Sequence, residues 1–356
     1  MAKIALIEPF FGGSHRNWAV SLKKFSKHEI QIISLPARHW KWRMRSAAIT
    51  LAAQLNLDFD LLICSDMIDL ALFKSLLPVE LINKPLVLYF HENQLTYPWT
   101  ERKKTWDRNY AWINYCSCLV ADHVVFNSSF NRSSFLEALP GFLKQFPDNN
   151  NLHLVDEIKD KSSILPVGIN YNELEKHKSK EENQTPILLW NHRWEFDKNP
   201  KLFFETLFKF KSDGLKFDLI IMGEQFANQP PIFEKAQKIL SSEILVWGHV
   251  KSRQEYIENL WKADILPVTS NHDFFGLSVL EAIYCNNTPL LPNKLAYPEH
   301  ISNRKYFYSS KSEFESMLKI LIESKSASTH DLEKQIIKYD WSKVILQYDD
   351  LFDNYC

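Results

Sequence analysis

Short apolar runs alternate with segments of helical periodicity along the first half of the chain. The helical patterns lie near 15–26, 44–55, 67–77 and 107–120. The strand-like runs around them are KIALIE (3–8), IQIISL (30–35), FDLLIC (from residue 59), PLVLYF (85–90), HVVFN (123–127) and SILPVG (163–168). Because these runs are apolar throughout, the pattern predicts a parallel sheet covered by helices on both faces.

The alternation stops at NYNELEKHKSKEENQT (170–185), which is almost devoid of apolar residues and predicts a solvated linker. It then restarts, and residues 329–352 predict one or two terminal helices. The later strand-like runs are ILLWN (187–191), FDLIIM (217–222), EILVW (243–247), ADILPV (263–268) and TPLLP (288–292). Two Rossmann-like, doubly wound α/β domains facing a central cleft are therefore predicted, with ligands beyond the carboxyl ends of the strands.

The predicted N-terminal domain spans 1–169, the linker 170–186, and the C-terminal domain with its terminal helix 187–356. A length of 356 residues suits two domains, and 45% apolar with 24% charged residues is ordinary for a soluble globular protein. The N-terminus lacks the pattern of a signal peptide, and no apolar run is long enough for a membrane span. Five cysteines without CxxC spacing favour reduced thiols and a cytoplasmic protein.

The basic stretch RHWKWRMR (38–45) stands out because the whole chain is nearly neutral, with 42 basic and 43 acidic residues. It is either a basic loop whose tryptophans pack onto a neighbouring domain, or a surface that grips phosphates and stacks on bases or sugars. A second basic run follows residue 101. The candidate nucleic-acid contacts are Arg38, Trp40, Lys41, Trp42, Arg43, Arg45, Arg102, Lys103 and Lys104.

Two motifs in the first half follow predicted strands. GGSH (12–15) lies between the first strand and the first helix, where Gly12 and Gly13 would let a ligand approach the backbone and the helix start favours anions. The alternative is a tight turn with Ser14 as the helix cap. HENQ (91–94) places His91 at another strand end, as a cleft residue or as an ordinary loop histidine.

Two motifs in the second half have the same placement. In NHRWEFDKNP (191–200), Arg193 and Lys198 beside a helix start form a diphosphate clamp, or else are two surface cations. HDFFGLSVLEAIYC (272–285) places Asp273 before a helix and Glu281 within it. Glu281 among apolar neighbours is an exposed acid or a buried one that requires a partner, such as a ribose diol. The amides of Phe275, Gly276 and Leu277 would project into the cleft.

These motifs resemble known families. R(x4)KNP, MGE, WGHV and DFFG(x4)EA are similar to the nucleotide-sugar half of retaining two-domain (GT-B) glycosyltransferases. IEPFFGGSH, LPARHWKWR, YFHENQLTYP, VVFNSSFN and FFG(x4)EAIYC resemble, more closely, the family of tRNA-queuosine mannosyltransferases. The similar segments span residues 7–299, nearly all of the chain.

The resemblance implies transfer of mannose from GDP-mannose to the cyclopentene-diol of queuosine at the wobble position of a tRNA, without a metal or other cofactor. It implies that the donor's ribose is bound by Glu281 and that its diphosphate is held by Arg193 and Lys198. The sugar would be held by Asp273 with the amides of Phe275, Gly276 and Leu277, with Gly12, Gly13 and His91 from the first domain. The nucleobase would be framed by Gly223, Gly248 and His249.

The sequence departs from the family pattern at two positions. Asp273 stands where Glu is usual, which leaves the donor sugar open, and Asn286 stands where Gly is expected, which concerns a turn. Two other functions stay open: transfer to a polysaccharide or lipid-linked acceptor, and tRNA binding without catalysis. Salt-sensitive tRNA binding discriminates the first, and hydrolysis of a sugar nucleotide discriminates the second.

Overall fold

A computed structural model describes residues 1–56, 58–98, 107–179, 182–225, 229–324 and 330–356. Within these ranges the chain folds into two units: Met1–Gly168 together with Tyr339–Cys356, and Ile169–Lys338. Each unit contains a six-stranded sheet whose strands all pair in parallel, connected by helices. The prediction of two doubly wound α/β domains is therefore confirmed.

The N-terminal unit has the strand order β2-β1-β3-β4-β5-β6. Its central strands β3 and β4 are buried at every position, as their continuous apolar sequences predict. The helices α5 and α6 were not predicted from the sequence. The elements are β1 (Lys3–Phe11), α1 (Gly13–Phe25), β2 (Glu29–Pro36), α2 (Trp40–Ala52), β3 (Leu61–Ser65), α3 (Leu70–Ser75), β4 (Leu86–Phe90), α4 (Asn109–Val120), β5 (His123–Phe126), α5 (Ser129–Leu143), α6 (Leu154–Asp160) and β6 (Ser162–Ile164).

The second unit has the strand order β12-β11-β10-β7-β8-β9. Its elements are α7 (Tyr171–Glu175), β7 (Ile187–Trp190), a 3₁₀ turn (Phe196–Lys198), α8 (Pro200–Ser212), β8 (Asp218–Met222), α9 (Ile232–Ile239), β9 (Ile244–Gly248), α10 (Arg253–Lys262), β10 (Ile265–Pro267), α11 (Leu277–Tyr284), β11 (Thr288–Pro292), α12 (Tyr297–His300), a 3₁₀ turn (Arg304–Tyr306), β12 (Phe307–Tyr308), α13 (Lys311–Glu323) and α14 (His330–Ile336).

The order of strands reverses once in each sheet. In the N-terminal unit β1 pairs with β2 on one side and with β3 on the other, and in the second unit β7 pairs with β8 and β10. Ligands of such sheets bind outside the carboxyl ends of the strands at this reversal. The ends of β1 and β3, and those of β7 and β10, are therefore the places to look for a site.

The segment predicted as a linker is partly structured. Tyr171 and Leu174 lie on α7 and are buried. The Tyr171 ring stacks on Tyr284, and its hydroxyl donates to the carbonyl of Ile336, while the indole of Trp261 donates to the carbonyl of Leu174. Two apolar side chains three positions apart are enough to attach this polar segment to the second unit.

The C-terminal helix α15 (Trp341–Tyr355) belongs to the N-terminal unit, whereas the sequence placed it with the C-terminal domain. The indole of Trp18 donates to the Tyr348 hydroxyl, which donates to the carbonyl of Pro166. The 3.6-residue periodicity that predicts an apolar helix face does not say which sheet that face covers, and this explains the difference.

Two expectations about the chain's environment concern cysteines and membrane spans. None of the five cysteines, all of which lie in the described ranges, forms a disulfide, and Cys64, Cys118 and Cys285 are buried. In the part of the chain that the structure describes, no helix has the length and apolar character that crossing a bilayer requires.

The packing of α15 gives a stability prediction at Gly168. A Cβ on this residue would lie 2.3 Å from the ring of Trp341, which is itself buried. We expect Gly168→Ala to lower the free energy of unfolding by about 1–3 kcal/mol, because the ring has to shift in a packed core. Gly141→Ala on α5 is the matched control, since a Cβ there meets no atom within 4 Å. Equal urea midpoints for both variants would contradict this packing.

Candidate active site

The start of α1 lies directly after β1 in the N-terminal unit. Gly12 is the N-cap residue, and a Cβ on it would come within 2.4 Å of the Cβ of Ala37. Gly13 opens the helix with φ of 51°, a left-handed conformation that favours glycine. The alternative in which Ser14 caps the helix is wrong, because no side chain caps it. The N-terminal end of α1 is thus available to an anion.

His91 follows β4 and is held rigidly. Its backbone N–H donates to Asp66 Oδ1 at 2.9 Å, and its carbonyl accepts from Asn127 Nδ2 at 2.8 Å. Its ring meets Trp18 and Tyr89 edge-on, with centroids 4.7 and 4.8 Å away. His91 is buried, and its Nε2 has no hydrogen-bond partner within the described ranges. A ligand atom is the natural partner for such a nitrogen.

Glu8 and His15 form a buried pair beside His91. The Nδ1 of His15 lies 3.3 Å from both carboxylate oxygens of Glu8, and its ring centroid is 4.1 Å from that of His91. Burial acts to lower the pKa of His15, but the charge and hydrogen bond of Glu8 outweigh it and raise the pKa to about 9. Burial and the charge of His15 lower the pKa of His91 well below its ordinary value. His15 is therefore a cation and His91 neutral near pH 7.

Glu8, His15 and His91 are also residue types that bind transition metals, and one ligand atom of each lies within 4.8 Å of the others. The positions of these three residues, 8, 15 and 91, follow none of the spacings that mark a metal site in a sequence. The Glu8 carboxylate faces the His15 nitrogen, so these two groups satisfy each other as an ion pair without a metal.

The basic stretch 38–45 is not a loop, because α2 begins at Trp40. Trp40 packs on Tyr110 with ring centroids 5.1 Å apart, and the Lys41 ammonium lies over both rings. The Arg45 guanidinium also lies over Tyr110, 5.2 Å from the ring centroid, and is 4.0 Å from Asp107. One tryptophan of the stretch is thus structural, within the N-terminal unit itself.

The other tryptophan of the stretch faces outward. Trp42 is 62% exposed, Arg38 is exposed, and the Arg43 guanidinium donates to the carbonyl of Pro36. An exposed indole among cations is the combination expected of a surface that stacks on bases. The second basic run, Arg102, Lys103 and Lys104, lies outside the described residues.

Lys198 lies in the core of the second unit, at the end of the 3₁₀ turn after β7. Its Nζ donates to the carbonyl of His272 at 2.8 Å and lies 3.2 Å from Asp197 and 3.6 Å from Asp273. The alternative of two surface cations is therefore wrong for Lys198, which is 7% exposed. Arg193 is different, since its side chain is 44% exposed and pairs with Glu195.

Asp273 lies after β10 and joins the same network. It accepts a hydrogen bond from the Tyr297 hydroxyl at 3.1 Å. Burial acts to raise the pKa of Asp273, but the charge of Lys198 outweighs it and lowers the pKa below its ordinary value. Burial and the same lysine lower the pKa values of His192 and His272 to about 4. Asp273 is thus ionised at neutral pH, with neutral imidazoles nearby.

The N-terminus of α11 follows Asp273. Gly276 is its N-cap, with φ of 84°, and a Cβ there would lie 3.0 Å from the ring of Tyr297. Phe275 is buried, its carbonyl accepts from His300, and Leu277 opens the helix. These three residues therefore lie at the helix end that follows Asp273 in the chain, and the projection of their amides toward a ligand stays a prediction.

Glu281 is buried on α11, and the structure supplies the partner that its burial requires. The Arg253 guanidinium donates to one carboxylate oxygen, and the Tyr256 hydroxyl donates to the other at 3.2 Å. The alternative of an exposed helical acid is wrong, and a ribose is not needed to explain the burial. Asn286, after the same helix, has φ of 63°, so it occupies a left-handed position that Gly would also fill.

The three residues predicted at the nucleobase lie at two strand ends: Gly223 follows β8, Gly248 is the last residue of β9, and His249 follows it. Gly223 has φ of 151°, and a Cβ on it would lie 2.0 Å from the carbonyl oxygen of His192. Gly248 has φ of 103° and lies beside Gln225, while His249 is exposed. Gly223 is thus required by packing against the end of β7, and Gly248 by its backbone conformation.

Four residues that pair with one another or with the predicted site residues were not predicted from the sequence: Glu8, His15, Asp197 and Arg253. Glu8 is a charged residue inside an otherwise apolar strand, and Asp197 immediately precedes Lys198. Both residues could have been noticed in the sequence, because a charged side chain at a buried position requires a partner. Nothing in the sequence marks Arg253, which reaches Glu281 from a different helix.

Comparison with known proteins gives similarity over both units. Residues 3–169 match the family "tRNA-queuosine alpha-mannosyltransferase N-terminal", and residues 172–339 match "Glycosyl transferases group 1". The chain is 38% identical over 307 residues to the tRNA-queuosine alpha-mannosyltransferase of Drosophila melanogaster, covering 83% of this chain and 81% of that protein.

Two solved structures share the fold. Sucrose-phosphate synthase from Thermosynechococcus elongatus is 13% identical, with a TM-score of 0.72 and 99% coverage of both chains. Anabaena HepE in complex with UDP is 11% identical, with a TM-score of 0.69 and coverage of 99% of this chain and all of that one.

Proposed function

Because the chain belongs to the tRNA-queuosine alpha-mannosyltransferase family, we propose that it transfers mannose from GDP-mannose to the cyclopentene-diol of queuosine at a tRNA wobble position. The observation that carries the proposal is the position of two polar clusters. One consists of Glu8, His15 and His91 in the N-terminal unit, and the other of Asp197, Lys198 and Asp273 in the second unit. Each lies at the carboxyl ends of strands beside the reversal of strand order, where sheets of this type bind ligands.

The second unit binds the donor in this proposal. Arg193 and Lys198 contact the diphosphate, and the N-terminus of α11 adds a favourable partial charge. Asp273 with the amides of Phe275, Gly276 and Leu277 holds the sugar hydroxyls. Glu281, already oriented by Arg253 and Tyr256, accepts hydrogen bonds from the ribose, and the loops at Gly223, Gly248 and His249 frame the base.

The N-terminal unit provides a contact to the sugar and binds the tRNA. The Nε2 of His91, which has no partner among the described residues, accepts a hydrogen bond from a sugar hydroxyl or donates one to it, and Gly12 and Gly13 present the start of α1. Arg38, Lys41, Arg43 and Arg45 contact tRNA phosphates, while Trp42 stacks on a loop base. A tRNA substrate makes the cytoplasm the expected compartment.

The transfer retains configuration and uses no nucleophile from the protein. The acceptor hydroxyl attacks the anomeric carbon from the face that the diphosphate leaves, and a leaving-group phosphate oxygen takes its proton. Arg193, Lys198 and the start of α11 stabilise the charge that accumulates on the diphosphate, which assigns them the role a metal has elsewhere. Catalysis then rests on positioning and electrostatics.

Transfer of labelled mannose tests the function. The protein is incubated with labelled GDP-mannose and tRNA from cells that contain or lack queuosine. We expect label only in tRNA that contains queuosine, and UDP-glucose should not replace the donor. Equal labelling of both tRNAs, or labelling of a polysaccharide or lipid-linked sugar instead, would overturn the proposed acceptor.

Two carboxylate variants separate sugar binding from ribose binding. Asp273→Asn should reduce transfer more than about tenfold and change GDP affinity less than Glu281→Gln does, because this carboxylate is assigned to the mannosyl group and touches the diphosphate site only through Lys198, 3.6 Å away. Glu281→Gln should weaken GDP binding itself. Calorimetry with GDP and initial-rate assays measure the two effects, and the opposite pattern would exchange the two roles.

A further inference from the structure

We propose that Glu8 and His15 are positioning residues, a charged pair that fixes the ring of His91 for its contact with the reacting sugar. This inference rests on the proposed function, since His91 is assigned to the sugar there. Neither Glu8 nor His15 is required by that assignment. Both are nevertheless buried, at 0% and 8% exposure, beside the one histidine that the reaction is proposed to use.

The ring of His91 is confined from several directions. Trp18 and Tyr89 meet it edge-on, and His15 lies against it with centroids 4.1 Å apart. The backbone is held at both ends by Asp66 and Asn127. Among the three rings that contact His91, the ring of His15 is the one that pairs with a carboxylate. Its Nδ1 lies 3.3 Å from both oxygens of Glu8. Loss of that charge would release one side of the ring.

The electrostatics agree with the geometry. Beside the Glu8 carboxylate the pKa of His15 is about 9, so the pair is charged at neutral pH, and burial together with that cation lowers the pKa of His91 and keeps its ring neutral. A neutral imidazole has one nitrogen that accepts and one that donates a hydrogen bond, which is the state suited to bind a sugar hydroxyl. Asp66 and Glu92 also act on His15, and Cys64 and Tyr89 are further titratable groups beside the cluster in the described part of the chain.

The alternative use of the same atoms is a metal site. Both uses require Glu8 and His15, but they differ in what each nitrogen does. In the charged pair His15 is protonated at both nitrogens and His91 carries one proton. A metal would take a lone pair from each histidine, so neither ring could be an imidazolium.

A double-mutant cycle tests the proposed role. Glu8→Gln and His15→Gln each keep a hydrogen-bonding side chain and remove the charge. We expect kcat for mannosyl transfer to fall by up to about a hundredfold, with GDP affinity unchanged. In a His91→Asn background the same replacements should have little further effect, because they act through His91. Multiplicative losses in that background would overturn the proposal. His28→Gln, which changes another buried histidine of this unit, is the control and should retain kcat.

Nitrogen NMR of the unmodified protein, with labelled histidine, provides a second arm that needs neither activity nor a folded variant. Imidazolium signals for His15 and neutral-ring signals for His91 at neutral pH support the pair. A neutral His15, or a stoichiometric amount of zinc in the purified protein that a chelator removes with a change in both histidine signals, overturns it. If the protein transfers no mannose while the NMR result holds, the proposed function fails and the charged pair stands.

Discussion

Lys198→Ala should lower the free energy of unfolding by about 3–5 kcal/mol, because it leaves the buried Asp197 and the partly buried Asp273 without their cation. Asp197 is 1% exposed, neither of its carboxylate oxygens has a hydrogen-bond partner among the described residues, and Asp273 lies in the same network. The stability that Asp273 contributes through its lowered pKa is present above its ordinary pKa and lost as the pH falls. The difference between the two proteins should therefore shrink below about pH 4. Urea unfolding at pH 7 and at about pH 3 measures it.

The two cations assigned to the diphosphate should therefore differ in what their removal does to folding, because Lys198 is buried and Arg193 is not. Lys201→Ala is the matched control, because that lysine is exposed on α8 and its unfolding midpoint should not move. Arg193→Ala separates stability from binding, since its half-exposed side chain can be removed without a cavity. It should keep the unfolding midpoint and weaken GDP binding by about 1.5–3 kcal/mol. A Lys198→Ala protein as stable as Lys201→Ala would contradict the buried network.

Changing Arg38, Lys41, Arg43 and Arg45 together to Ser should remove most tRNA affinity and leave GDP affinity intact. Each lost phosphate contact lowers the slope of log affinity against log salt by roughly 0.7–0.9, so four contacts flatten it by about 3. The structure refines this expectation, because Lys41 and Arg45 also lie over Tyr110. A slope change nearer 2 than 3 would mean that those two cations serve packing. Binding of tRNA across a series of salt concentrations measures the slope.

The two tryptophans of the stretch provide the test of stacking. Trp42→Ala should cost roughly 1–3 kcal/mol of tRNA binding with little change in the salt slope, because its exposed indole is available to a base. Trp40→Ala should instead reduce stability, because its ring packs on Tyr110. If the quadruple variant matched the parent in affinity and slope, the stretch would be a packed basic helix start without a role in binding.

The alternation of apolar runs was sufficient to predict both sheets, because strands buried on both faces leave an unmistakable pattern in β3 and β4. It was not sufficient to place α15 or α7. Their apolar residues show that one face is buried, yet the unit that each helix packs against depends on contacts between distant parts of the chain.

The candidate site, like the fold, was predictable from the sequence only in part. Strand ends located His91, Arg193 and Asp273, because loops after parallel strands gather at one edge of a sheet. The sequence did not show that Lys198 is buried or that His15 pairs with Glu8. Both facts depend on side chains that approach each other only after folding. For the second, the signal in the sequence is the charge of Glu8 inside a buried strand.

The central claim is that mannose is transferred, with retained configuration, to queuosine in tRNA. Mass spectrometry of nucleosides, after digestion of tRNA treated with the protein and GDP-mannose, tests it most directly. We expect queuosine to gain the mass of one hexose residue, and we expect α-mannosidase, but not β-mannosidase, to remove that residue. Unchanged queuosine, or a hexose on any other nucleoside, would contradict it.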